Sequence, residues 1–147
     1  MITRIDHVAI VLPELTEGTS FWVDALGLPL EKIEEVPEQQ VHIAMLPVGG
    51  AYIELLAPSE ETSGVARYLQ KKGPGLHHIC LEVDDIEALL ARLKQANIPL
   101  IDEVPRIGSD GKKLAFIHPK GSDGVLVELY QYPKSEYKKD PEFAPDK

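Results

Sequence analysis

Hydrophobic positions along the chain recur in short runs that are typical of strands, with helical spacing between some of them. Residues 5–12 form an apolar run, and residues 20–26 place Phe21 and Trp22 on a predicted helix as core residues. Three further apolar runs, separated by a proline or by paired glycines, predict strands at residues 30–36, 41–47 and 51–56. This part of the chain therefore predicts the order β-α-β-β-β.

The same order of predicted elements recurs further along the chain. A strand at residues 77–83 is followed by a helix at 86–96, and later apolar runs predict strands at residues 101–105, 114–118 and 125–130. Between the two parts, residues 59–73 form a linker with one predicted helix at 65–71. The tail at residues 133–147 is charged and has no periodicity, so it is predicted to be disordered.

The two parts also resemble each other in sequence when they are aligned. The stretch I-D-H-V-A-I-V-L at residues 5–12 matches L-H-H-I-C-L-E-V at 76–83 with an offset of 71 residues, which places His7 on His78. A period near 70 residues is too long for a solenoid repeat and indicates a duplicated half-domain. The sequence thus predicts an α+β fold of tandem βαβββ modules, at about 3–57 and 75–131, in one domain of residues 1–132.

Composition narrows the classes of partner. With 147 residues the chain has room for one sizeable core, and its net charge of −9 disfavours nucleic acid, which attracts clustered lysine and arginine. The single cysteine, Cys80, excludes an internal disulfide and fits a reducing compartment. No apolar run is long enough for a membrane span, and no signal peptide is recognisable. We expect a cytoplasmic protein whose partner is a small molecule or another protein.

The candidate chemistry comes from histidine and glutamate residues that occur in matched pairs. Each copy has a histidine on its first strand and a glutamate on its last, namely His7 with Glu54 and His78 with Glu128. Both glutamates lie in apolar strands, where a carboxylate without a compensating cation or hydrogen bond is costly. Two imidazoles and two carboxylates suit one divalent ion per chain, such as Co, Mn, Ni, Zn or Fe.

The remaining histidines are weaker candidates. Neighbouring residues of a strand face opposite ways, so His77 is predicted to lie on the face opposite to His78, partly exposed or in contact with a ligand residue. His42 and His118 have no histidine at the matching position of the other copy. We expect both to be structural or to contact a substrate, with a structural role favoured.

Several motifs resemble a known family over residues 2 to about 132. These are I-D-H-V-A-I and I-E-L-L-A-P in the first copy, with G-L-H-H-I, P-R-I-G and H-P-K in the second. They resemble the vicinal oxygen chelate, or glyoxalase, superfamily and, within it, the methylmalonyl-CoA epimerase family. The resemblance implies two half-barrels that form a cup around a divalent metal, an acyl-CoA substrate and a homodimer.

The resemblance also implies an activity and the residues that perform it. The activity is metal-dependent interconversion of (R)- and (S)-methylmalonyl-CoA, by removal and return of the C2 proton through a metal-stabilised enediolate. Ligand roles fall on His7, Glu54, His78 and Glu128. Glu128 is favoured as one catalytic base, and Glu54 is a ligand or the second base. Some epimerases carry an acidic residue at the position of Ile43, which leaves the second base open.

The sequence also offers candidate substrate contacts and leaves alternative functions open. Gln39, Lys71, Lys72 and Lys120 are candidates for contacts with the substrate, the three lysines through the CoA phosphates. One rival function is a glyoxalase I-type lactoylglutathione lyase, which uses the same metal ligands. Another is a non-catalytic small-molecule-binding relative, which the four intact ligands disfavour. An extradiol dioxygenase fits less well, because a fourth protein ligand would close a coordination position needed for oxygen.

Overall fold

A computed structural model of the chain describes residues 1–108 and 110–134. Within these ranges the strands, numbered β1 to β8, are Ile2–Val11, Lys32–Val36, Val41–Val48, Ala51–Pro58, Gly75–Val83, Arg106–Ile107, Lys113–Ile117 and Val127–Gln131. Helices α1 to α3 span Leu15–Thr19, Gly64–Lys72 and Ile86–Gln95, and 3₁₀ turns span Pro37–Gln39 and Pro119–Gly121. This order confirms the predicted tandem βαβββ arrangement, with α2 as the linker helix. Residues 135–147 of the predicted tail lie outside the described ranges.

The chain divides into two compact units. One is His7–His78, and the other combines Met1–Asp6 with the described residues from Ile79 onward. Strands β1 and β5 each contribute residues to both units. The hydrogen-bonded order of the strands is β2-β3-β4-β1-β5-β8-β7-β6. Among the described residues, no helix has the length and apolar character needed to cross a membrane.

In the unit His7–His78, strand β4 lies between β3, to which it is antiparallel, and β1, to which it is parallel. Apolar residues that alternate along these strands form two buried clusters. One contains Leu12, Ala44, Leu46 and Leu55, against which α1 and the following turn pack through Leu15, Trp22 and Val23. The other contains Ala9, Val11, Val41, Ile43 and Leu56, against which α2 packs through Val65, Tyr68 and Leu69. Period-two alternation therefore gives each side of this sheet its own helical cover.

The first helical segment differs from its prediction. It begins at Leu15 rather than at residue 20, and it continues directly from α1 into a π-helical segment at Ser20–Ala25. Gly18 permits close packing there, because a Cβ at this position would lie 2.7 Å from a methyl carbon of Leu12. Consecutive helical residues point in different directions, so Trp22 packs on the core while Phe21 is 54% exposed. The prediction that Phe21 is a core residue is wrong.

The second unit has the same arrangement of strands and helix. Strand β8 lies between β5, in parallel, and β7, in antiparallel register. Helix α3 begins after Asp85, whose carboxylate accepts a hydrogen bond from the backbone N–H of Ala88 at 2.9 Å, as is typical of a helix start. The buried cluster of this unit joins α3 to β5, β7 and β8 through Val83, Ile86, Leu90, Ala115, Ile117, Val127 and Leu129.

The strand predicted at residues 101–105 is wrong: β6 is the two-residue strand Arg106–Ile107. The backbone N–H groups of Ile101 and Asp102 both donate to the carbonyl oxygen of Phe116, at 3.0 and 3.2 Å. The carboxylate of Asp102 also accepts from the backbone N–H of Phe116 at 2.9 Å. The Asp102 side chain thus accepts the Phe116 N–H that a regular neighbouring strand would pair with through its backbone. Strand pairing therefore begins only at Arg106.

Candidate metal centre

Three of the four predicted ligands come together within the unit His7–His78. His7 lies on β1 and Glu54 on β4, and the parallel register pairs His7 with Tyr52, so that Glu54 follows two residues later on the same face. His78 lies on β5. All three residues are buried.

The donor atoms of these side chains converge. The Nε2 atoms of His7 and His78 are 3.2 Å apart, and His7 Nε2 lies 3.7 Å from Glu54 Oε2. One donor atom from each of the three residues fits within a mutual distance of 4.8 Å. Such a group of two imidazoles and one carboxylate is the kind of set that proteins use to bind divalent transition metals.

The spacing of the two imidazole nitrogens fits a shared metal ion. Metal–nitrogen bonds of about 2.0–2.1 Å at tetrahedral or octahedral angles place two ligand nitrogens about 2.8–3.4 Å apart. The observed 3.2 Å between His7 Nε2 and His78 Nε2 lies within that range. The residues present therefore fit a divalent cation held by His7, Glu54 and His78.

Apolar side chains extend from the histidine–glutamate group along the same strands. Met45 is the cross-strand partner of Glu54, and Ile43 is the partner of Leu56 on the same pair of strands. Ile43 is 8% exposed and belongs to the buried cluster under α2. Its side chain has no proton to exchange, so it cannot supply the base that an acidic residue would supply there.

Glu128, the fourth predicted ligand, belongs to the second compact unit. It lies on β8, where the register pairs it with Cys80 on β5 and with Phe116 on β7. The residue is buried. Burial between two strands is the environment that the sequence predicted for this carboxylate, and its ligand role stays a prediction.

His77 lies closer to the group than the alternation of strand residues predicts. Its Nδ1 atom is 2.8 Å from Nδ1 of His78, although the two residues are neighbours in β5. The ring of His77 also contacts the ring of Tyr68 on α2, with 4.6 Å between centroids. The expectation of opposite faces is thus too simple, while the expectation that His77 contacts a ligand residue agrees with this geometry.

The other histidines and the predicted substrate contacts lie in simpler settings. His118 accepts a hydrogen bond at Nδ1 from the backbone N–H of Lys120 at 3.0 Å, which caps the 3₁₀ turn and is a structural role. His42 lies half-buried on β3. The four candidate substrate contacts are exposed residues of the turns Pro37–Gln39 and Pro119–Gly121 and of the end of α2, namely Gln39, Lys71, Lys72 and Lys120.

Sequence reasoning missed a second buried polar group, which lies in the other unit. Arg4 Nε donates to Glu82 Oε2 at 2.5 Å, and its Nη2 lies 3.6 Å from Asp6 Oδ2. The hydroxyl of Tyr132 donates to the same Asp6 oxygen at 2.6 Å. Burial raises the pKa of the Tyr132 phenol above its ordinary value of 10.0, and the charge of Asp6 raises it further. The signal available in the sequence was that Arg4 and Asp6, two residues of opposite charge, lie two positions apart on β1.

Comparison with known proteins defines the class first. The model of the Glyoxalase/Bleomycin resistance protein/Dioxygenase superfamily matches residues 6–116. The chain belongs to this superfamily. Within it, the chain is 41% identical over 129 residues to human mitochondrial methylmalonyl-CoA epimerase, covering 87% of this chain and 73% of that protein.

A bacterial epimerase and a solved epimerase structure extend this similarity. The ethylmalonyl-CoA/methylmalonyl-CoA epimerase of Cereibacter sphaeroides is 39% identical over 133 residues, covering 89% of this chain and 99% of that protein. A solved structure of a methylmalonyl-CoA epimerase in complex with methylmalonyl-CoA and NH4+ aligns with a TM-score of 0.82 and 34% identity. That alignment covers 91% of this chain and 97% of the other.

Proposed function

We propose that the chain is a methylmalonyl-CoA epimerase, an isomerase that interconverts the (R) and (S) forms of its substrate. The observation that carries the proposal is the similarity to epimerases along nearly their whole length, together with the buried group of His7, Glu54 and His78. The solved relative that contains methylmalonyl-CoA supports an acyl-CoA substrate.

The proposed centre is one divalent ion held by His7, Glu54, His78 and Glu128. When bound, such an ion withdraws charge from the carbonyl oxygens on either side of C2 and so lowers the cost of removing the C2 proton. The two histidines supply neutral nitrogen donors, and their burial keeps competing water away. Co, Mn, Ni, Zn and Fe all suit this mixture of nitrogen and oxygen donors.

Proton transfer in the proposed mechanism belongs to the two glutamates. Epimerisation needs one group to take the C2 proton and another to return a proton to the opposite face, and two bases are the simplest arrangement. Ile43 cannot act as a base, so Glu128 is proposed as one base and Glu54 as a ligand or the second base. Both glutamates are buried.

Exchange of the C2 proton in deuterated water tests these roles. Glu128→Gln removes a base but keeps a neutral oxygen ligand, so turnover should fall by about 10²–10⁴ while metal is partly retained. With Glu54→Gln, unchanged turnover would make Glu54 a ligand only. Exchange into one stereoisomer but not both would identify it as the second base. Near wild-type epimerisation by metal-loaded Glu128→Gln would refute the proposed base.

A side-by-side assay with a second substrate separates epimerase from lyase. The adduct of methylglyoxal and glutathione is the substrate of a glyoxalase I-type enzyme, and the two activities share a metal set. We expect C2 exchange with methylmalonyl-CoA and little turnover of the adduct. Efficient conversion of the adduct without C2 exchange would replace the proposal with a lactoylglutathione lyase.

Four exposed residues are proposed to contact the substrate. Lys71 and Lys72 end α2, and Lys120 lies in the turn Pro119–Gly121, where exposed ammonium groups suit the phosphates of CoA. Gln39 is proposed as a further substrate contact. Residues 1–132 are proposed to act as one domain in a cytoplasmic homodimer, and light scattering of the purified protein tests the oligomeric state.

A further inference from the structure

Both ring nitrogens of His78 lie near a nitrogen of another histidine. Its Nε2 atom is 3.2 Å from Nε2 of His7, and its Nδ1 atom is 2.8 Å from Nδ1 of His77. Each of these distances is that of a hydrogen bond, which requires one proton between the two nitrogens. The three imidazoles therefore form a chain in which the proton positions depend on one another.

Metal binding at Nε2 of His78 fixes those positions. A neutral imidazole carries one ring proton, and a nitrogen that binds metal must offer its lone pair. The proton of His78 must then be on Nδ1, within the 2.8 Å contact to His77. His77 accepts this proton at its own Nδ1 and carries its ring proton on Nε2.

We propose that His77 is a positioning residue for the metal centre, an inference that rests on the proposed function. It accepts the Nδ1–H of His78, selects the tautomer of His78 whose Nε2 lone pair is available, and holds the ring in the orientation that ligation needs. Histidine ligands in metalloproteins generally donate their second ring N–H to such an acceptor, which fixes tautomer and orientation. Here the acceptor is the neighbouring imidazole of His77.

Helix α2 holds the accepting ring in place. The Tyr68 ring meets the His77 ring edge to face, with 4.6 Å between centroids and 69° between planes. The hydroxyl of Tyr68 donates to the carbonyl oxygen of Leu76 at 3.0 Å, so the same helix residue fixes both the ring and the backbone just before it. The orientation of His77 is thus set by packing on α2.

The opposite arrangement of protons gives a distinct result. If His77 donated to His78, the proton of His78 would be on Nε2, between it and His7, and His78 could not bind metal through that atom. The two arrangements predict different protonated nitrogens on His78. Their ring ¹⁵N chemical shifts differ, so they are distinguishable in the metal-free protein.

Two substitutions separate the acceptor from the ring. His77→Asn keeps an acceptor close to the position of Nδ1, whereas His77→Phe keeps a ring against Tyr68 but removes the acceptor. His42→Phe, on β3 of the same unit, is a matched control for loss of a histidine. Folding of each variant is checked by far-UV circular dichroism, and binding is measured by titrating metal-free protein with Co²⁺ and following its visible absorbance.

We expect His77→Phe to weaken Co²⁺ binding by about 10–100-fold, the usual effect of losing a residue that orients a metal ligand. His77→Asn and His42→Phe should bind nearly as tightly as the wild type. In the ¹⁵N spectra of metal-free protein, His78 should carry its proton on Nδ1 in the wild type and in His77→Asn, with more of the Nε2–H form in His77→Phe.

Equal Co²⁺ affinity of His77→Phe and wild type, or a His78 protonated on Nε2 in the metal-free wild type, would overturn the inference. Failure of the proposed centre has a different signature. If the wild type does not bind Co²⁺ at all, the metal site itself is refuted, and the ¹⁵N spectrum still decides whether His77 accepts from His78.

Discussion

Each compact unit contains a buried group of ionisable side chains, and the two groups differ in where their positive charge comes from. In the unit that begins at Ile79 and includes Met1–Asp6, Arg4 provides a permanent cation beside Asp6 and Glu82. In the unit His7–His78, the imidazole of His7 contacts the imidazole of His78 and the carboxylate of Glu54. The three members of this group, His7, Glu54 and His78, include no arginine or lysine, so their own side chains become positive only by protonation, and a bound metal ion would add positive charge.

The two groups are suited to different roles, one to stability of the fold and the other to function. The arginine-centred group, made of Arg4, Asp6, Glu82 and Tyr132, pairs a fixed guanidinium with carboxylates and so stabilises one arrangement of the fold. The histidine–glutamate group offers nitrogen and oxygen donors that can bind a metal ion from solution. The first group should therefore affect stability, and the second should affect metal content and turnover.

The largest expected effect is loss of the metal ion. His7→Ala and His78→Ala each remove one nitrogen donor, so metal content should fall from about one ion per chain towards zero and turnover by about 10³-fold, as expected when Lewis-acid stabilisation is lost. Removal of metal from the wild type with a chelator should have the same effect on turnover. Elemental analysis and the C2 exchange assay measure both quantities.

His42→Ala provides the comparison for metal content, because His42 lies on β3 of the same unit. It should keep its metal. Full metal content in His78→Ala, or its loss in His42→Ala, would show that the histidine–glutamate group is not the metal site.

The next largest effect concerns the stability of the arginine-centred group. Arg4→Met leaves Asp6 and Glu82 without the guanidinium, and removal of one partner from a buried pair costs about 3–5 kcal/mol. Because the Arg4 side chain is 28% exposed, we expect the lower end of that range. Urea denaturation measures the change in the free energy of unfolding.

Arg106→Met is the matched control, since Arg106 pairs with Asp102 but its side chain is 55% exposed. Exposed pairs contribute about 0–1 kcal/mol, so this variant should be little affected. Equal destabilisation of the two variants would mean that burial does not distinguish the two ion pairs.

The smallest effect is expected for Tyr132→Phe. This change removes the hydrogen bond to the buried Asp6 carboxylate, and hydrogen bonds to charged groups contribute about 1.5–3 kcal/mol. The metal content of the variant should equal that of the wild type. Thermal unfolding at neutral pH and elemental analysis check the two expectations, and loss of metal from Tyr132→Phe would break the separation between the two groups.

Tyr132 also predicts a dependence of stability on pH. The folded pKa of the phenol is raised above its ordinary value of 10.0, so the folded state keeps its proton at pH values where the unfolded state releases it. The stabilisation is complete below about pH 10 and decreases as the pH rises from there towards the folded pKa. Tyr132→Phe should lose less stability than the wild type between neutral pH and pH 11.

Much of the fold follows from the sequence because strand alternation and internal repetition are local signals. Among the described residues they locate seven of the eight strands within a few residues. They fail where a side chain forms the hydrogen bond that the backbone of a regular strand would form. Asp102 accepts the backbone N–H of Phe116 and delays β6. The early start at Leu15 was hidden because residues 13–19 contain glycine, threonine and proline, which are typical of turns.

The candidate site is predictable to the extent that the duplication relates its members. Matching positions in the two copies select His7, Glu54, His78 and Glu128, and the structure brings the first three together. The approach of His77 to His78 has no such signal, because it depends on where α2 places Tyr68. The contact between Arg4 and Glu82 joins residues 78 positions apart and likewise requires the tertiary structure.

The pairing of His7 with His78 has a consequence for synthesis of the chain. Seventy-one residues separate these neighbours on β1 and β5, whereas β3 and β4 are joined by a turn at Gly49 and Gly50. A ribosome adding about 5–20 residues per second needs about 4–14 s to produce the intervening segment. Throughout that interval the edge of β1 stays open to a β5 strand from another nascent chain. Such an exchange would recreate the same strand contacts between two polypeptides.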